Sequence, residues 1–248
     1  MINKATVKYI QSLQDKKFRD EHNMFIAEGP KLVAELLKDK IFECEDIFCT
    51  ETGAGLISSL FGDIEPGTIN IIEDFELEKI SALTVPNHIL GVFQKKAPAD
   101  APDFKEGLTL VLDDIQDPGN LGTMIRIADW FGVKQMLCSP ATADCYNPKV
   151  VQSTMASLGR VNIIYGDIRA TLAANPGIRK YAALLGGKDV RTFGRISEGF
   201  IIIGNESKGI SPALQELAEE SISIAGYGGA ESLNAAVAAG IILFSVRG

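Results

Sequence analysis

Apolar and polar positions along this chain switch between a helical and a strand period, so helices and strands are expected in alternation. From the amino end, "NKATVKYIQSLQD" puts Val7, Ile10 and Leu13 on one helical face, with Asn3 placed to cap it. "MFIAE" reads as a short strand. Pro30 then opens "PKLVAELLKD" in a helix's first turn, where its missing N–H is harmless. "EDIFCT", "TINIIE" and "ILGVFQ" predict further strands, with helices over "GLISSLFG" and "DFELEKISAL" between them. The pattern breaks at "QKKAPADAPDFKEG", Gln94 to Gly107, where prolines and small residues without an apolar period read as a linker. The expected layout is a small α/β domain over 1–95, a linker over 96–107 and a larger domain over 108–248.

Past the linker, strands are predicted at Leu108–Leu112, Gln135–Cys138, Asn162–Tyr165, Tyr181–Leu185, Phe200–Ile203 and Ser221–Ile224. Several are apolar at every position, as strands of a parallel sheet covered on both faces must be. Helical stretches separate most of them, among them "NPKVVQSTMASLG" and the terminal "ESLNAAVAAGIILFSV". An open α/β sheet follows.

At 248 residues, 46% apolar and 23% charged, the chain has the make-up of an ordinary globular protein that can bury a real core. It opens without a basic-then-apolar leader, and its most apolar stretch, Leu233 to Val246, is shorter than the roughly 20 residues a membrane span needs. Cys44, Cys49, Cys138 and Cys145 lack zinc-type spacing, so thiols in a cytoplasmic protein are expected, with no metal and no membrane partner. A net charge of −8 argues against non-specific coating of nucleic acid but leaves room for a local basic patch. Lys4, Lys8, Lys16, Lys17, Arg19 and Lys31 form one early in the chain. With Phe18, His22 and Phe25 nearby, that segment could meet a phosphate backbone and stack on an unpaired base, or simply be a solvated helix face.

Three stretches carry the chemistry. In "LTLVLDDIQDPGNLGTMIRIADWFG" an apolar strand ends in acids and crosses a turn into a helix, half of a nucleotide-binding fold without its G-x-G-x-x-G. Asn120 stands where a helix cap is expected. Met124, Ile125, Ala128 and Phe131 form the apolar stripe, and Arg126 lies off it, aimed at the sheet's carboxyl edge where ligands of such folds bind. In "FIIIGNESKGISP", Gly204 lets a ligand approach the backbone, and Asn205 and Glu206 offer an amide and a carboxylate. In "SISIAGYGGAESLNAAVAAGIILF", a Gly-rich loop leads to Ser232 and Asn234 in a helix's first turn, where anions are favoured. That helix is apolar nearly all round and must be buried, in the monomer's core or against another subunit. Each stretch alone also reads as a plain cap, turn or core helix.

Together, in this order at successive strand ends, they resemble the three motifs of the SpoU/TrmH family of RNA ribose 2′-O-methyltransferases in the SPOUT superfamily. Asn120 and Arg126 fall on the first motif, Gly204 to Glu206 on the second, and Glu231 to Asn234 on the third. "YIQSLQDKKFRDEHNMFIAEGPKLVAELL" is similar to that family's N-terminal substrate-binding domain, a ribosomal-protein L30e-like α/β fold. The resemblance implies an α/β domain closed by a deep trefoil knot, S-adenosyl-L-methionine as cofactor and a homodimer through the knot helices. It implies a donor site at Ile203, Gly204, Asn205, Gly209, Ile224, Gly228 and Leu233. The catalytic set is Arg126 with Asn120, Glu206, Ser232 and Asn234, where Glu206 would anchor Arg126 within or across a dimer. RNA would be met by Lys8, Lys16, Lys17, Arg19 and Lys31. The third motif departs from the family: Ile224, Ala225 and Gly226 stand where Ile-Pro-Met is usual. Ribosomal RNA leads as substrate, with transfer RNA or a non-catalytic RNA-binding role as alternatives. An arginine that never deprotonates would act as a cationic clamp rather than as a base.

Overall fold

The computed structural model describes residues 1–38, 42–61, 69–96, 102–105 and 107–247. Positions 97–101 and 106 of the expected linker lie outside them, as do Asp39, Gly62 and Thr68 at the ends of three expected elements. The chain divides into two compact units: Met1–Ala97 together with Asp144–Gly159, and Pro98–Ala143 together with Arg160–Gly248.

The first unit begins with helices α1 (Lys4–Ser12) and α2 (Lys16–His22), strand β1 (Met24–Glu28) and helix α3 (Pro30–Lys38). Strand β2 (Cys44–Cys49), helix α4 (Glu51–Phe61), strand β3 (Ile69–Ile71), helix α5 (Asp74–Ile80) and strand β4 (Ile89–Gln94) follow. Asn3 caps α1 as the sequence predicts, accepting from Thr6 N. The sheet order is β1-β4-β2-β3, with β4 antiparallel to both neighbours and β3 parallel to β2. Ile10, Leu13, Ile26, Phe48, Leu77, Ile80, Leu90 and Val92 close the core on one face of that sheet.

The second unit starts with strand β5 (Leu108–Asp113), helix α6 (Pro118–Trp130) and strand β6 (Gln135–Cys138). From there the chain leaves for the first unit, where helix α7 (Pro148–Thr154) packs against β1. Tyr146 of this excursion sets its ring 5.0 Å from Phe25, and Lys95 Nζ stands 5.3 Å from the Tyr146 ring. Arg19 is 1% exposed. Its Nη2 lies 2.6 Å from Asp144 Oδ2, and its Nη1 donates to the carbonyls of Leu13 and Gln14 at 2.9 and 2.8 Å. Two expectations are corrected here. Arg19 cannot meet RNA, because its guanidinium is spent inside the unit, and Phe25, fully buried in the core, cannot stack on a base.

Back in the second unit come strand β7 (Asn162–Tyr165), helix α8 (Ile168–Ala174) and strand β8 (Lys180–Asp189). Strand β9 (Gly199–Gly204), helix α9 (Pro212–Gln215), strand β10 (Glu220–Ser223) and helix α10 (Ala235–Arg247) complete it. The six strands run β10-β8-β9-β5-β6-β7, every neighbouring pair parallel. Strand β5, apolar but for Thr109 and Asp113, and the apolar β9 are buried at nearly every position, side by side in the sheet's interior. Helices α6 and α10 pack together with their amino ends level. Asn234 bonds Asn120 at one end, Arg247 Nε donates to Phe131 O at the other, and Gly240 between them lies against Ile127. Both helices therefore point their positive ends at the carboxyl edge of the sheet.

Candidate active site

Three loops leave that edge, after β5, β9 and β10. The first was expected to cap its helix with Asn120, but the cap is Asp117, whose Oδ1 accepts from Asn120 N at 2.7 Å. Pro118 occupies the first helical position, which makes its predecessor the cap. Asn120 therefore sits inside the first turn with its side chain free for other work. Its Nδ2 donates to Glu206 Oε1 at 2.6 Å, and its Oδ1 accepts from Asn234 Nδ2 at 2.9 Å. Asn234 in turn caps α10, accepting from Ala236 N and Val237 N at 2.9 and 3.2 Å. Residues from all three sequence motifs are thus joined in one polar chain. Ser232, expected in the helix's first turn, stands before the cap and is exposed.

The second loop folds on itself. Asn205 and Gly209 exchange backbone hydrogen bonds of 3.1 and 2.9 Å, and Gly209 has φ +69. A Cβ on Gly204 would stand 2.3 Å from the backbone of Gly209 and Ile210. The missing side chain of Gly204 therefore makes room for its own loop. Asn205 likewise faces inward: its Nδ2 donates to Asp114 O at 2.8 Å, and its Oδ1 accepts from Ser207 N and Lys208 N. Ile203 is buried within β9.

The supports of this loop escaped the sequence reading. Asp113 Oδ2 accepts from Ser211 N at 2.6 Å. Asp114 adopts a left-handed backbone, φ 58, which favours Gly, Asn and Asp. Ser139, buried at the end of β6, holds it there: Asp114 N donates to Ser139 Oγ at 3.0 Å, and Ser139 Oγ donates to Asp114 Oδ1 at 2.5 Å. Thr142 Oγ1 lies 3.0 Å from Ser139 Oγ and also reaches Leu112 O. The signal available was the pair of acids ending an otherwise apolar strand.

The third loop runs from Ile224 to Leu233. Ile224 is half-buried and Leu233 is 48% exposed. A Cβ added to Gly226, Gly228 or Gly229 would meet nothing within 4 Å. Among the described residues, the backbone amides from Ala225 to Leu233 donate to no group of the chain. Arg126 is exposed on α6 and makes no hydrogen bond or ion pair among the described residues, so Glu206 does not anchor it within this chain. One turn on, Trp130 is 84% exposed. Of the expected RNA contacts, Lys8, Lys17 and Lys31 are exposed, while Lys16 is tied to Asp20 at 2.7 Å. No group of three His, Cys, Asp or Glu among the described residues could share a metal ion.

Loops that converge on the carboxyl edge of a parallel sheet define an α/β domain built to hold a ligand there. Residues 107–244 match the model of the SpoU rRNA Methylase family, and residues 4–91 match that of the MRM3-like substrate binding domain. The chain belongs to the SpoU rRNA Methylase family. It is 31% identical over 246 residues to the 23S rRNA (guanosine(2553)-2′-O)-methyltransferase RlmP of Bacillus subtilis, covering 98% of this chain and 96% of that protein. A TrmH-family RNA methyltransferase structure from Porphyromonas gingivalis, described as putative, matches with TM-score 0.86 and 33% identity over 100% of this chain and 99% of that one. An AdoMet-bound rRNA methyltransferase from Sinorhizobium meliloti matches with TM-score 0.84 and 29% identity, covering 100% and 95%.

Proposed function

We propose that this chain transfers a methyl group from S-adenosyl-methionine to a ribose 2′-hydroxyl of ribosomal RNA. The observation that carries the reading is the hydrogen-bonded union of Asn120, Glu206 and Asn234, brought together across 86 and 114 residues of sequence. The printed activities of the relatives supply the substrate class.

The residues present fit the donor. The third loop offers unpaired backbone amides for the acceptor nitrogens of a purine, open space beside its glycines, and Ile224 and Leu233 as apolar walls. When bound, S-adenosyl-methionine supplies an electrophilic methyl group on a sulfonium. The chain's part is to present the hydroxyl and stabilise it as its proton leaves. Arg126 serves as the cation for the developing alkoxide and the adjacent phosphate. Asn120, locked between Glu206 and Asn234, fixes the loop tips relative to one another, so the hydroxyl meets a preset geometry.

Since Arg126 touches none of these residues in its own chain and shares a helix face with Trp130, we assign it to the site of a second copy. Trp130, Val237 and Phe244, 84%, 50% and 70% exposed, form an apolar face of α6 and α10 suited to that pairing. The reading extends to the trefoil knot, which the open, Gly-rich course after β10 would accommodate, and to an L30e-like RNA-binding domain over 1–95 using Lys8, Lys16, Lys17 and Lys31. It also extends to a methyltransferase domain over 108–248 and to a cytoplasmic setting.

Incubation of the protein with labelled S-adenosyl-methionine and transcribed 23S ribosomal RNA tests the proposal. Label should appear on a ribose 2′-oxygen. Label on a base, or on no RNA, would refute it.

A further inference from the structure

Tyr227 lies in the third loop with 85% of its surface exposed, an unusual position for a large aromatic side chain. The ring does not hang loose. Arg191 Nη2 reaches the Tyr227 hydroxyl at 3.0 Å. Arg191 is itself fixed by Asp189, whose Oδ1 accepts from Arg191 N and Nε at 2.9 Å each, and whose Oδ2 accepts from Nε and Nη2. Asp189 ends β8 at the carboxyl edge, next to β10, from which the third loop springs. The result is an aromatic ring held by its tip while its faces stay in solvent.

Other exposed aromatic rings have different surroundings. Trp130 and Phe244 belong to the apolar helix face, and Phe75 carries Lys79 Nζ 4.8 Å from its ring centre. Tyr227 instead borders the donor loop. Small ligands bury most of their surface in a pocket, and a ring standing this far out does not wall one. It suits a group arriving from solvent on a longer chain. Arg191 also keeps Nη1 without a bond among the described residues, an N–H fork open to a phosphate one step along the same strand.

We propose that Tyr227 is a stacking platform for an unpaired nucleobase of the RNA substrate, fixed by the Asp189–Arg191 pair. This rests on the methyltransferase reading above and names how that site holds its substrate. The ring is already tethered at its hydroxyl, so stacking orders less that was free, and a base–aromatic stack is sequence-tolerant because every base has a π-face.

The experiment compares the full chain with Tyr227→Ala, Tyr227→Phe and Arg191→Ala in filter binding to transcribed 23S ribosomal RNA, in calorimetry with S-adenosyl-methionine, and in sedimentation. Loss of one base stack predicts that Tyr227→Ala weakens RNA binding about tenfold or more. Tyr227→Phe and Arg191→Ala each leave the ring present but unpinned, so both should fall between Tyr227→Ala and wild type, with Arg191→Ala the lower because it also loses the open N–H groups of Nη1. Donor affinity and sedimentation should not change. Unchanged RNA affinity in Tyr227→Ala would overturn the proposal. So would a loss of donor affinity, which would assign the ring to the cofactor, or a change in mass, which would assign it to a second copy. Wild-type protein that binds the RNA but transfers no methyl group would sink the methyltransferase reading and leave the platform standing. Wild-type protein that binds no RNA would sink both.

Discussion

At the scale of single residues, two helical arginines have opposite fates. Arg126 is exposed and makes no hydrogen bond or ion pair among the described residues, and Arg19 is buried and fully engaged. A guanidinium cannot accept a proton near neutrality, so the service Arg126 can render is electrostatic. Removing one such stabiliser of a developing oxyanion costs about 10²–10³ in rate. Arg126→Ala should therefore lower single-turnover methyl transfer by about that factor with donor affinity unchanged in calorimetry. An equal loss of donor affinity would make the residue structural. Arg19→Ala has the reverse signature. It leaves the half-buried Asp144 without its cation and the carbonyls of Leu13 and Gln14 without their donor, a loss of about 1–3 kcal/mol, visible as a lower urea midpoint. This burial was not legible from the sequence, because Arg19 and Asp144 stand 125 residues apart. Neither end announces the other.

At the scale of elements, much was legible wherever a local signal was strong. The largely apolar runs of β5 and β9 marked them as parallel strands covered on both faces, and Asn3 and Pro30 marked two helix starts. The starts of α6 and α10 were displaced because each sequence offers several capping side chains in a row. Pro118 could have decided the first, but nothing local decides between Ser232 and Asn234. The second motif's glycine was legible as necessary, but the packing of its own loop against it was not. Its space is occupied by Gly209 and Ile210, so Gly204→Ala must open the loop and should abolish donor binding. Ser139→Ala tests the same loop from below. It strips Asp114 of the hydroxyl that satisfies both its N–H and its carboxylate, a loss of about 1–3 kcal/mol. Asn205 hangs from Asp114, so donor affinity should fall about tenfold or more, since each 1.4 kcal/mol is a factor of ten. Donor affinity equal to wild type would show that the loop holds without Ser139.

At the scale of the whole molecule, the first unit is not a simple amino-terminal piece. Asp144–Gly159 supplies Asp144 to Arg19, Tyr146 to Phe25 and α7 to β1, so a chain cut at the linker would leave these groups without partners. The same unit concentrates groups that titrate late. Burial, and then the charges of Asp46 and Glu45, push the Cys44 thiol up to about 12. Burial, and then Glu45 and Asp46, push Tyr9 up to about 12, and burial raises Cys49 and Tyr146 as well. In the unfolded chain the thiols ionise near 9.0 and the phenols near 10.0. A folded value raised above the unfolded one means that the folded state holds its proton longer. The stability this confers is complete below pH 9.0 and is lost as the pH climbs toward about 12. Thermal melts followed by far-ultraviolet circular dichroism should thus shift downward between pH 9 and 12. Trp130, the chain's one tryptophan, lies in the other unit and reports on that unit separately. The Cys44→Ala, Tyr9→Phe double variant should flatten this alkaline decline. An undiminished decline in that variant would mean that other groups carry it.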